Sequence, residues 1–266
     1  MKENMKKSLN DRGVSETVGY IILFGIMTTG IALVTLYGYP LLLEEQANAN
    51  IRNMERNMLV LQNDVKSLSF KNVPYRETAL QISGGVLKVE KSTPTDNKYF
   101  KVIKVSANQE LIPDPPFLNN EFHPGQLLFT SDKGDILIGL QNGAVVKREQ
   151  GGSTMLSEPR WFLDTSGTER TLVLLFTQFD ADAEYAKSGI GIIQMSLEDP
   201  TEISYHFTPS PENIRVEYRD TLSDYFSAWR NYFNTFNPSA SPPLSVTVLN
   251  VDNLIMKFYK IKIIGI

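Results

Sequence analysis

Twenty-seven consecutive positions, Thr17 to Leu43, carry no charge, and most of them are apolar. A helix needs about 20 apolar residues to cross the hydrocarbon core of a bilayer, so this run predicts a membrane-spanning segment. Gly38 and Pro40 fall inside it and predict a kink or local break, because proline removes one helical hydrogen bond. Beyond them the helical period resumes. Ile51, Met54, Met58, Leu61, Val65 and Leu68 recur at alternating steps of three and four, with polar residues such as Asn57, Gln62 and Asp64 between them. Such a stripe serves either a short coiled-coil seam or the chain's own domain. Residues 18–70 are expected to form one kinked helix of about 80 Å at 1.5 Å per residue, ended by Pro74.

From Thr78 the apolar period becomes two. Ala79–Ser83 and Val86–Glu90 read as a hairpin turning at Gly84-Gly85, and Asn142-Gly143 marks a second hairpin between 135–140 and 144–147. Further alternating runs at 100–105, 172–176, 191–195, 203–207, 214–218, 244–249 and 256–264 bring the expectation to about ten strands at short spacing. One helix interrupts them. Thr221-Leu222-Ser223-Asp224 has the form of a capping box, and Leu222, Tyr225, Phe226, Trp229, Tyr232, Phe233 and Phe236 then share a face that should cover a sheet. The fold class expected is α+β: a long kinked N-terminal hydrophobic helix, then a mainly antiparallel, β-sandwich-like domain with one amphipathic helix. The boundaries expected are a leader at 1–13, a membrane segment at 14–43, a helical stalk at 44–72 and a β-rich domain at 73–266.

Charge sets the orientation. Lys2, Lys6, Lys7 and Arg12 precede the apolar run, whereas Glu44 and Glu45 follow it. The N-terminus is therefore expected in the cytoplasm and the β-rich domain outside. The chain's net charge is −4, which gives it no electrostatic attraction for nucleic acid. With no cysteine there is no disulfide framework and no thiolate nucleophile.

The search for chemistry returns little. His123 and His206 are the only histidines, and no phosphate loop, Gly-x-Ser-x-Gly or His-Glu-x-x-His pattern occurs. His123, beside Pro124, reads as a surface residue. Asp180-x-Asp182-x-Glu184 alternates like a calcium loop but lacks its glycine and its distal glutamate, so no metal is assigned there. No catalytic residue and no cofactor is expected. Glu16 stands at the mouth of the membrane segment, where a carboxylate is costly unless it is paired or reaches the interface. Gly25 and Gly30, in a helix that needs no glycine to cross a membrane, are candidates for close contact with a neighbouring helix.

The string Asp11-Arg12-Gly13-Val14-Ser15-Glu16-Thr17-Val18-Gly19-Tyr20 resembles the class III signal of archaeal type IV pilin-like proteins, with its basic leader, Arg-Gly site and Val-Ser start. The resemblance covers residues 6–43. It implies that a prepilin peptidase cuts between Gly13 and Val14, next to Arg12, and leaves the hydrophobic segment on the mature chain. It also implies partners: the membrane, and further copies or other pilins packed through the N-terminal helix. From its position alone, Glu16 either reaches the cytoplasmic headgroups or pairs with the new α-amino group of Val14 on a neighbour, and the resemblance does not assign it one of the two. Archaellins begin differently, which points away from an archaellum. The large outer domain points to a minor, tip or adhesive subunit. The alternative is an anchored extracellular sandwich that binds a ligand or envelope partner without polymerising.

Overall fold

The computed structural model describes residues 2–71, 73–198, 200–220, 224–236 and 244–266, and the side chains from residue 16 onward. Thr221–Ser223 of the expected capping box and the proline-rich loop at 237–243 lie outside the described residues. The chain divides into two compact units, Met1–Asn50 and Ile51–Ile266.

In the first unit, helix α1 runs Lys2–Leu33 and passes into a π-helical turn at Val34–Gly38, after which α2 (Tyr39–Lys71) begins. The expected break at Gly38 and Pro40 therefore takes the form of a change in helical pitch, and the backbone stays helical throughout. Its cause is Pro40, which has no N–H for the Leu36 carbonyl and whose ring would press on it in an α-helix. Widening the preceding turn relieves that contact, and the Tyr39 N–H donates to Val34 O, five residues back.

The second unit holds the remaining elements. Strands β1 (Tyr75–Glu90), β2 (Lys98–Lys104), β3 (Gln109–Glu110), β4 (Gln126–Ser131), β5 (Leu137–Gln141), β6 (Ala144–Glu149) and β7 (Gly152–Ser157) come first. Then follow β8 (Trp161–Asp164), β9 (Thr171–Ala181), β10 (Ala186–Leu197), β11 (Thr201–His206) and β12 (Glu212–Asp220). Helix α3 (Phe226–Phe236), β13 (Ser245–Val251) and β14 (Asn253–Gly265) complete the chain. Ten strands form one sheet in the order β7-β6-β5-β4-β1-β10-β14-β9-β8, with β11 also on β14, and four form a second in the order β13-β12-β2-β3. Pairing is antiparallel except between β9 and β14, which run parallel in register from Thr171↔Asn253 to Ala181↔Ile263. The fold is thus α+β with sandwich-like, mostly antiparallel sheets.

The Gly84-Gly85 pair does not turn a hairpin. β1 continues through it as one 16-residue strand, with a register shift in which β1 advances five residues, Ile82 to Leu87, while β10 advances two, Gly189 to Lys187. Gly84 has φ 72°. A Cβ on Gly85 would strike Thr130 O and the Phe129 ring on β4, so the pair makes a bulge that lets β4 close on the strand. Asn142-Gly143 does turn a hairpin, at φ 48° and 72°, as its composition requires.

Two cores lie on opposite faces of the large sheet. On one face Phe100, Tyr218, Trp161, Trp229 and Phe233 cluster with Leu172, Leu174, Phe176, Leu254, Met256 and Phe258. Phe100 sits 4.9 Å from Trp229 and 4.8 Å from Tyr218, ring centre to ring centre. α3 therefore covers sheet with its aromatic face, as its spacing predicts. On the other face Met54, Met58, Leu61, Val65 and Leu68 of α2 are buried against Ile82, Phe129, Ile138, Phe179, Ile193 and Ile263.

The domain boundary moves accordingly. The β-rich unit begins at Ile51, not at 73, because the helical stripe supplies one wall of its core. Residues 51–71 are no free stalk. Polar contacts fix the same helix: Asn57 Nδ2 donates to Gln81 O at 3.0 Å, and Thr78 Oγ1 to Asp64 at 2.6 Å. Gln62, a polar position between stripe residues, is only 2% exposed. Its amide donates to Gly143 O at 2.6 Å and pins the Asn142-Gly143 turn.

Two substitutions test this layering. Trp229→Ala should cost about 3–5 kcal/mol through the cavity it opens, and Leu61→Ala about 2–5 kcal/mol, both read from urea denaturation of the full chain. A cost near zero for Leu61→Ala would mean that the helix is not part of the folded core.

Candidate functional site

The side chains that face outward without cover in the first unit are those of the uncharged run. Val18, Tyr20, Ile21, Leu23, Phe24, Ile26, Ile31, Leu36, Leu41 and Leu43 are all exposed. The helix from Glu16 is long and apolar enough to cross a membrane, and the residues of its most apolar stretch are buried by nothing in the chain. The hydroxyls of Thr28, Thr29 and Thr35 are satisfied from within. Thr28 Oγ1 donates to Phe24 O at 2.8 Å, Thr29 Oγ1 to Gly25 O at 2.7 Å and Thr35 Oγ1 to Ile31 O at 2.9 Å. Bonded to the preceding turn, these threonines are not left as unpaired donors in an apolar surrounding.

The glycines occupy open positions. A Cβ on Gly19, Gly25 or Gly30 would meet nothing within 4 Å, and one on Gly38 would touch only Val34 at 3.7 Å. No intrachain contact therefore requires glycine at these places. Gly19 and Gly30 are eleven residues apart, three turns of about 3.6 residues, and share a face. Gly25 stands about 140° round from Gly30, so the two do not face one neighbour together. Glu16 is exposed at the start of the segment. Arg12, Gly13 and Val14 lie within the helical backbone of α1, and their side chains are outside the description.

Elsewhere the candidate chemistry resolves into structure. Asp180 and Asp182 pair with Lys260 and Lys262 on β14, each at 2.9 Å. The pairing of β9 with β14 brings both carboxylates within reach of ammonium groups that balance their charge. Among the described residues no group of three or more His, Asp or Glu is placed to hold a metal. His123 departs from expectation. It is 6% exposed, with its ring 5.5 Å from that of Tyr99 and Nε2 3.5 Å from Glu121. The β-bridge between Phe100 and Phe122 draws its neighbour into the interior. His206 is exposed and meets Asn253 at 2.7 Å.

Burial alone would raise the Asp180 carboxyl, but Lys260 and the Ala181 N–H outweigh it and hold the group below the usual carboxylate value. A group depressed in the folded state contributes stability above its unfolded pKa of about 3.9, and that contribution is lost as pH falls through the folded value. Asp180→Asn should therefore flatten the acid limb of the stability curve below about pH 4, measured by circular dichroism across pH 2–7. An unchanged acid limb would show that the Lys260 pair contributes nothing to folding.

Comparison with known proteins adds lineage without activity. The chain is 28% identical over 83 residues to an uncharacterized protein of Archaeoglobus fulgidus, a match covering 31% of this chain and 27% of that protein. The matched part is thus about a quarter of that relative's length. No solved structure matches. A family of unknown function, DUF7289, matches residues 12–251, and the chain belongs to that family.

Proposed function

We propose that the chain is a type IV pilin-like subunit of an archaeal cell-surface filament, in a minor, tip or adhesive position. The single observation that carries the reading is the segment from Val18 to Leu43, whose large apolar side chains are exposed along every face of the helix. Such a surface is stable only in lipid or among other helices. A basic leader and Arg12-Gly13-Val14 stand directly in front of it, where cutting would release a mature chain that keeps the segment. Open space at Gly19, Gly25 and Gly30 suits close approach of neighbouring helices on more than one side. Before assembly the chain would cross the membrane once, its N-terminus cytoplasmic by the excess of Lys and Arg ahead of the segment. The β-rich domain would then stand outside. In this reading the protein acts by binding and assembly, without catalysis.

Two experiments test the reading. Intact mass or N-terminal sequencing of membrane-derived protein should find a mature chain beginning at Val14, and a bulky replacement of Gly13 should leave it unprocessed. A chain still beginning at Met1 in the archaeal host would overturn the processing claim. Gly30→Leu should abolish shear-released fibres while leaving membrane insertion intact, since a Cβ at this position meets nothing within 4 Å in its own chain. If processed protein never appears in sheared fibres, the chain is a non-polymerising anchor for its outer domain.

A further inference from the structure

A cavity of about 280 Å³ at the ends of β1, β4 and β5 is lined by Glu90, Asp96 and Lys98, charges of both signs that select no ligand class. A smaller one is one-sided. It is a cleft of about 10 Å³ between the last turns of α2, the Asn142-Gly143 turn and β9, with Lys66, Ser69, Phe70, Asn142 and Arg160 in its lining. Among the described residues no carboxylate lines it. The enclosed space admits about one water-sized group.

Both charges at the cleft are positive and lack a counterion. Among the described residues no carboxylate pairs with Lys66 or with Arg160. Burial and the Arg160 charge together hold the Lys66 ammonium below the usual lysine value, as expected of a cation beside another cation. Arg160 lies over the Phe70 ring, its Cζ 4.5 Å from the ring centre. The Tyr259 ring in turn meets Phe70 at 5.5 Å and 86°. A guanidinium engaged through its face keeps its N–H fork free, and that fork matches pairs of oxygens on a carboxylate or phosphate.

The floor adds donors. Ser69 Oγ and Asn142 Nδ2 have no partner in the protein, and the two residues are 2% and 0% exposed. Thr177 N donates to Asn142 Oδ1 at 2.9 Å, which leaves the amino group as the free end of that amide. Gln62 holds the same turn through Gly143 O, so the floor is fixed before a ligand arrives. Ser69 follows Lys66 by three residues, which puts both on one face of α2. Buried polar groups without partners are costly, and donors beneath two cations call for an acceptor with negative charge.

We propose that this cleft binds an oxyanion of the phosphate class. One oxygen enters toward Ser69 Oγ, and the others meet the Arg160 fork and the Lys66 ammonium at the mouth. The size fits that division, because the enclosed space takes a single oxygen while Arg160 is exposed outside it. Two cations match the charge of about −1.5 to −2 that a phosphate group carries near pH 7. The site lies wholly in the β-rich unit and does not depend on whether the chain polymerises.

Phosphorus NMR on the full chain, in a detergent without a phosphate headgroup, tests the proposal. Inorganic phosphate is titrated to about 20 mM with ionic strength held constant by sodium gluconate, and its line broadening should saturate with a Kd on the order of 1 mM. Arg160→Lys keeps the charge and loses the fork, so it should weaken binding about fivefold or more. Lys66→Gln should weaken it about tenfold or more. Arg160 is exposed, so its variant keeps the fold and stays informative if Lys66→Gln does not fold. Glycerol phosphate separates two sources of the group: tighter binding than inorganic phosphate marks an ester, looser binding marks the free ion, and both support the site. Broadening that never saturates overturns the proposal and leaves the cleft to a water molecule. So does broadening that chloride removes when it replaces gluconate at the same ionic strength, or that either folded variant retains in full.

Discussion

Both hydrophobic cores of the β-rich unit depend on the parallel pairing of β9 with β14, which forms the wall they share. Along β14, Leu254, Met256 and Phe258 point to the aromatic core, while Ile261 and Ile263 point to the core under α2. β9 makes the same division, with Leu172, Leu174 and Phe176 on one side and Phe179 and Ala181 on the other. Because side chains alternate strictly along a strand, a slip of one residue in this register would present every one of these groups to the wrong face. The remaining edge of β14 is divided between β11 and β10, so the C-terminal strand gathers three partners. The lysine pairs at Asp180 and Asp182 add charge complementarity to the same register.

That wall explains why α2 is divided in its chemistry. Its last five turns lie on the sheet and bury methionine, leucine and valine. The residues before Asn50 belong to a unit that finds no cover in the chain. The helix thus begins in an environment that must supply apolar surroundings from outside and finishes in one that the protein supplies for itself. Proline at position 40 is accommodated by a local π turn, in which the Tyr39 N–H donates to Val34 O.

Functional capacity separates in the same way. The N-terminal unit offers an apolar surface with open glycine positions, suited to lipid and to other helices. The β-rich unit places a polar cavity at the ends of β1, β4 and β5. Family membership brings no activity to either.

By itself the sequence determined whatever depends on neighbours along the chain. The uncharged run, the helical stripe from Ile51 to Leu68, the Asn142-Gly143 hairpin and the aromatic face of α3 were all legible, because periodicity and turn chemistry are local properties. Tertiary structure decided what the pattern could not. Gly84-Gly85 carries the composition of a turn, yet it is a bulge because Phe129 and Thr130 approach from a strand some forty residues on. Gln62 is a polar position between the stripe residues and is buried because a distant turn takes up its amide. His123 looked like a loop residue and is interior because Phe122 bridges Phe100. The cavity joins residues from 90 to 141, whose proximity follows from strand order alone. No local pattern encodes that order, because it is set by which faces must be buried together.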